Sequence, residues 1–308
     1  MAGPRQLVDA PTFTTSRYGL LSVVQRPNTE SSHWQNGVTW DSYCPENMGD
    51  TTYDECIATT GAPEGVVPQP TTKAANVDRV MRGATPFTVY TRFDCSPVGN
   101  EDAQRIAATA LAQVEEWQVE YTFWTGLVDG RTLAFPHLAA TATVQDNAGI
   151  ILQPTTSTAV TGTAVDVATG LGRLEKAIAD CYGGQGVIHV PIEALPTLVA
   201  YNLVAPVGGR DVGSGQFGRQ LQTTAGNLVA VGAGYPGTGP NGVDPGTTTT
   251  WLYGTGPVFM YRSSVFVPPF SSTVDRANNT VEMLAERTYV LGFDCCLHAV
   301  QIELGVPS

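Results

Sequence analysis

The chain reads as an α+β protein strung on one long helix. Residues 100–126, NEDAQRIAATALAQVEEWQVEYTFWTG, form the longest uninterrupted helical pattern in the sequence. A strand pattern at 86–99 runs straight into it. In front of both, residues 1–84 carry neither a helical nor an alternating period of useful length.

The helix has recognisable ends. Asn100 suits an N-cap, and Glu101 and Asp102 place negative charge at the positive end of the dipole. Ala103, Ile106, Ala107, Ala110, Val114, Trp117, Tyr121 and Trp124 recur at steps of three and four, which predicts one buried face. Arg105, Thr109, Glu116 and Glu120 are expected away from it. No Pro or Gly interrupts the pattern, and Gly126 is placed to stop it. About 25 residues at ~1.5 Å each make a rod of roughly 37 Å, on which other elements can drape.

Composition narrows the class. Of 308 residues, only 14% are charged, while Gly and Pro number 33 and 21. That is well below the usual quarter of charged residues, and it fits a turn-rich chain with part of its surface covered by partners. The formal charge of −12 argues against gripping nucleic acid through a basic patch. Lys73 and Lys176 are the lysines; the other basic residues are Arg. No secretory signal and no apolar run of ~20 residues is found, so no membrane association is expected.

The chain in order begins with 1–39, where Phe13, Tyr18, Leu20, Leu21, Val23, Val24 and Trp34 are scattered among Thr, Ser, Arg and Pro. This stretch is expected to be disordered or to lie as an arm on something else. Residues 40–84 are rich in turn formers and far longer than an ordinary connection. In 86–99, Phe87, Val89, Thr91, Phe93 and Cys95 alternate with Thr88, Tyr90, Arg92 and Asp94, a strand signal. Residues 127–161 are mixed. Val165–Tyr182 reads as a second helix, with Val167, Leu171, Leu174, Ile178 and Cys181 on one face and Gly183 as its stop. A buried strand is expected at 186–190, a third helix at 192–204, a strand at 227–237, a Gly/Pro loop at 237–250, strands at 250–270, and one or two long strands at 279–305.

Known chemical motifs are absent or weak. Residues 232–237 match G-x-G-x-x-G formally, but Pro236 and the following Gly-rich run prevent the helix that the motif must open. No phosphate-binding P-loop, nucleophile elbow or H-E-x-x-H motif occurs. His189 and His298 read as satisfied core histidines. The six cysteines, Cys44, Cys56, Cys95, Cys181, Cys295 and Cys296, include no C-x-x-C pair, so zinc spacing fails and reduced thiols are the starting expectation. A Cys44–Cys56 disulfide or cross-strand contact remains open. Cys295 and Cys296 are expected to point to opposite faces of one strand. Asp275, Glu282, Glu286, Arg287 and Asp294 form a charged run, read either as a solvated strand face or as pairs across a subunit boundary. No residue is expected to be catalytic, to bind a cofactor or to hold a metal.

The order of these elements, with the phrases PFTVYTRFDCSPVG (86–99), GGQGVIHVP (183–191), TTAGNLVAVGAGYPG (223–237) and ERTYVLGFDCCLHAV (286–300), resembles the major capsid proteins of tailed phages, the Hong Kong 97-type fold, and in particular those of phages of actinobacteria. The resemblance implies an N-terminal arm (1–39), an extended loop with its return strand (40–98), a spine helix opening a peripheral domain (99–164), an axial domain (165–262) and closing peripheral strands (263–308). It implies a structural, non-enzymatic subunit that assembles as hexamers and pentamers into an icosahedral head, made in the host cytoplasm and resident in the virion. The head encloses double-stranded DNA without sequence-specific binding. Implied partners are copies of the chain, a separate scaffolding protein and a portal, with a decoration protein optional. Some members of this family crosslink a loop lysine to an asparagine. Lys73 lies in the corresponding loop but reads as a solvated lysine, so no crosslink is expected. The alternatives are an encapsulin-like compartment, another virion subunit (tail or decoration protein) and an unrecognised enzyme.

Overall fold

A computed structural model of the chain describes residues 18–28, 31–42, 80–96, 102–141, 144–145, 151–152, 158–207 and 220–305. Strand β1 is Val38–Ser42, β2 is Val80–Ala84 and β3 is Pro86–Cys95. Helix α1, Ala103–Thr125, follows. Four short strands come next: β4 (Leu127–Val128), β5 (Arg131–Thr132), β6 (Val144–Gln145) and β7 (Ile151–Leu152). Strand β8 (Thr158–Ala159) precedes helix α2, Val167–Tyr182. Then come β9 (Val187–Pro191), the short helix α3 (Leu195–Ala200), β10 (Val204–Val207), β11 (Gln220–Thr223) and β12 (Leu228–Gly232). Strands β13 (Thr249–Thr255), β14 (Val258–Arg262), β15 (Val274–Asp275), β16 (Thr280–Phe293) and β17 (Leu297–Glu303) close the chain.

Two sheets organise the molecule. A seven-stranded sheet runs β10-β11-β12-β9-β13-β17-β8, with β12–β9 and β17–β8 parallel and the other neighbours antiparallel. Helix α2 covers it through Val167, Leu171, Leu174 and Ile178, all buried as their spacing predicts. The second sheet is built around the long strand β16, which pairs with β3, β14 and β15. In β3, Phe87 and Val89 are buried while Thr88, Tyr90, Arg92 and Asp94 are exposed, as alternation requires. Helix α1 packs on β3 and β16. The closing strands are thus shared: β16 belongs to the four-stranded sheet and β17 to the seven-stranded one. Strand β14, within 165–262, pairs with β16 rather than with the larger sheet.

Several expectations are corrected. The helix starts at Ala103 with Asp102 at the N-cap, whose carboxylate pairs with Arg105 rather than capping a backbone amide; Asn100 lies outside the described residues. Gly126 closes the helix in the left-handed region, φ 73°, with its N–H donating to Thr122 O. The third helix is only six residues, after a 3-10 turn at Ile192–Ala194. Cys295 and Cys296 sit in the turn between β16 and β17, not on a strand, with Cys295 at φ 66°. The cysteines are not all reduced: Cys181 and Cys296 form a disulfide, and Cys295 is also disulfide-bonded. Cys44, Cys56 and Lys73 lie outside the described residues.

The described part of the arm is not loose. Leu20 and Val23 are buried in the main core. Tyr18 O accepts from Val231 N–H at 2.6 Å, and Gln25 exchanges bonds with Val258 and Met260, each 2.8 Å. Strands β1 and β2 pair antiparallel from Val38↔Ala84 to Ser42↔Val80, so the segment that links them leaves and returns through a two-stranded base.

Candidate functional site on the spine helix

The buried face of α1 follows the predicted three-four stripe only in part: Ala103, Ala107 and Trp124 are buried, and Ile106, Ala110 and Tyr121 are half-buried. Ala103, Ala107, Leu111, Val119 and Phe123 are buried, a row at steps of four with Glu115 in the gap. Such a row drifts about 40° around the axis per step, so the buried face winds as the helix passes from the four-stranded sheet to the junction of both sheets. Val114 and Trp117 are left 43% and 47% exposed. Trp117 stacks on Tyr121, centroids 5.4 Å apart and planes within 5°. Trp124, fully buried, is the anchor. Its indole N–H donates to Thr238 O at 3.0 Å, and its ring meets the edge of Tyr253 at 4.7 Å.

Two carboxylates expected to be outside, Glu116 and Glu120, are buried. Glu120 Oε1 accepts from Leu20 N–H and Oε2 from Gly234 N–H, each at 3.0 Å. One side chain thereby ties the arm, the spine and the loop after β12. Burial pushes the Glu120 carboxyl up to about 8, against the opposing pull of the Gly234 and Leu20 amides. The approach requires glycine at Gly234, where a Cβ would run into Trp117 O. This also disposes of the G-x-G-x-x-G match: the Gly234 amide is spent on Glu120, and no helix follows β12 directly.

Beside it, Glu115 receives Arg287 Nη1 at 2.7 Å and the Tyr289 hydroxyl at 2.8 Å, joining the spine to β16. Asp275, Glu282, Arg287 and Asp294 of the charged run therefore have intrachain partners. Arg287 meets Glu115, Glu282 meets Arg92 at 3.0 Å, and Asp294 meets Arg82 at 3.4 Å and accepts from the Trp40 indole and the Ser42 hydroxyl. Asp275 closes a local turn through Ala277 N–H and the Asn278 side chain.

His189 is a satisfied core histidine. Its Nδ1 lies 3.1 Å from the Tyr235 hydroxyl and Nε2 3.1 Å from Thr255 Oγ1, and burial pushes its pKa down to about 3. His298 departs from its expectation, because both ring nitrogens are buried with no hydrogen-bond partner.

No protein-family model matches the sequence, and no curated protein matches it. Solved structures do match. The capsid of an empty GTA particle computed with C5 symmetry superposes with a TM-score of 0.52 at 13% identity, covering 98% of this chain and 95% of that one. The chain has the Hong Kong 97-type capsid fold. A structure from Mycobacterium phage Adephagia gives 0.52 at 13% identity, with 96% and 93% covered. One from Microbacterium phage Oxtober96 gives 0.50 at 13%, with 95% and 90% covered. Helix α1 is the longest helix among the described residues. Its buried carboxylates were missed because Glu116 and Glu120 look like an ordinary polar face. The sequence signal available was the row Ala103, Ala107, Leu111, Val119, Phe123.

Proposed function

We propose that this chain is the structural subunit of an icosahedral phage-type head, assembling as hexamers and pentamers around double-stranded DNA. The observation that carries the reading is the nearly end-to-end mutual coverage with a capsid chain, 98% of one and 95% of the other. The surface supports it. Val114 and Trp117 on α1 and Tyr90 on β3 are exposed large apolar side chains, of the kind that closed assemblies bury. The net charge of −12 keeps the shell from holding the DNA it encloses. In this reading 1–39 is the arm, 40–98 the extended loop and return strand, 99–164 the spine and first part of the peripheral domain, 165–262 the axial domain apart from β14, which joins β16, and 263–308 the closing peripheral strands apart from β17, which joins the seven-stranded sheet. The partners are further copies of the chain, a separate scaffolding protein and a portal, with or without a decoration protein. The subunit has no catalytic role and resides in the virion after assembly in the host cytoplasm.

Co-expression with the scaffolding protein, followed by sedimentation and negative-stain microscopy, tests the reading. Closed shells are expected. A monodisperse monomer that forms no particle with its scaffold would overturn it, and shells loaded with a protein cargo would favour the compartment alternative.

A further inference from the structure

Cys181 is the penultimate residue of α2, Cys296 lies in the turn before β17, and His298 is the second residue of β17. The two sulfurs and a His298 ring nitrogen lie within 4.8 Å of one another. The sulfurs are joined as a disulfide, with Cα atoms 6.2 Å apart. Both His298 nitrogens are buried without a partner, in contrast to His189, whose two nitrogens are each matched to a hydroxyl. A buried polar group left unmatched is costly, and a disulfide sulfur is too weak an acceptor to offset that.

We propose that Cys181, Cys296 and His298 are a redox-gated zinc site: a disulfide under oxidising conditions and, once reduced, a Cys-Cys-His ligand set for zinc. The inference does not depend on the capsid reading. Two sulfurs and one imidazole suit a borderline-soft, tetrahedral cation. Zn–S bonds of about 2.3 Å in tetrahedral geometry hold two sulfurs about 3.8 Å apart. Reaching that separation requires the two sulfurs to part once the disulfide is reduced. Asp180, whose charge acts on His298, pairs with Lys176 at the surface; three protein ligands leave a fourth position open.

The chemistry balances. A dithiol reductant gives two electrons and two protons to the Cys181–Cys296 bond and becomes a disulfide itself. Zinc then displaces one proton from each thiol to solvent, and His298 donates a nitrogen lone pair; the metal does not change oxidation state. Either state ties the end of α2 to the β16–β17 turn. The disulfide persists in oxidising surroundings and the metal clamp where thiols are kept reduced.

The test uses the full-length chain, prepared oxidised and reduced, with zinc titrated against a chromophoric chelator and cobalt(II) used as a spectroscopic probe. The reduced chain should bind about one metal per chain, with a sulfur-to-cobalt charge-transfer band and tetrahedral ligand-field bands. The oxidised chain should bind none. Cys181→Ser and His298→Ala should each weaken binding of the reduced chain by at least about tenfold, since even outer-shell changes cost that much. Three results would overturn the assignment: no zinc on the reduced chain, equal zinc on the oxidised chain, or wild-type affinity in either variant. The oxidised-versus-reduced comparison needs no substitution, so a variant that misfolds leaves the test intact.

Discussion

Trp117 and Trp124 stand seven positions apart on α1, yet only Trp124 is in the core. Trp124 is enclosed by Tyr235 and Tyr253 and bonded to Thr238; Trp117 lies flat on Tyr121 at the surface. Truncating Trp124 to Ala should cost about 3–5 kcal/mol, read as a lowered urea midpoint of the isolated subunit. Trp117→Ala should stay within about 1 kcal/mol and instead impair shell formation. Equal losses of stability would show that the surface tryptophan is structural too. The difference between the two indoles is invisible in the sequence, because each falls on the same three-four stripe. It arises from the loop after β12, which comes down on one side of the helix only.

At the scale of elements, the described residues from Tyr18 onward pack into the body of the molecule. Sequence reading treats 1–39 as a single segment without a core of its own, but Leu20 and Val23 are core residues here. Burying two such side chains contributes about 1.5–3 kcal/mol each, and Leu20 N–H also satisfies Glu120. Deleting residues 2–30 should therefore lower the urea midpoint and the solubility of the subunit itself. An unaltered melt after the deletion would mean that the Tyr18–Gln25 contacts contribute nothing. The reason for the misreading is physical: a short irregular segment, with Leu20 in a single 3-10 turn, has no periodicity to display, since its neighbours come from β12, β14 and α1.

For the molecule as a whole, two buried groups give stability an uneven pH dependence. The folded Glu120 carboxyl sits at about 8 against its ordinary 4.5, so the native state holds an extra proton in between and stability falls as pH rises through that window. His189 sits at about 3 against its ordinary 6.5. The unfolded chain then binds the extra proton, and stability is lost as pH falls below 6.5. The opposing slopes offset each other between about 4.5 and 6.5. Urea midpoints of the subunit should drop from pH 6.5 to 8.5, and Glu120→Gln should remove most of that drop. A variant with the wild-type slope would assign it to another group.

The sequence alone determined what depends on near neighbours along the chain. The α2 stripe of Val167, Leu171, Leu174 and Ile178, the alternation in β3, and the glycine stops at Gly126 and Gly183 are set by a helical turn or a pleat, a few residues in reach. The order of elements carried the fold class for the same reason. Only the tertiary structure decided which distant groups meet. Glu120 joins amides 100 and 114 positions away, and Cys181 meets Cys296 across 115 residues. The division of β16 and β17 between two sheets is of the same kind. No local spacing encodes these meetings, because burial and pairing at such sites are properties of the packed junction and not of either segment.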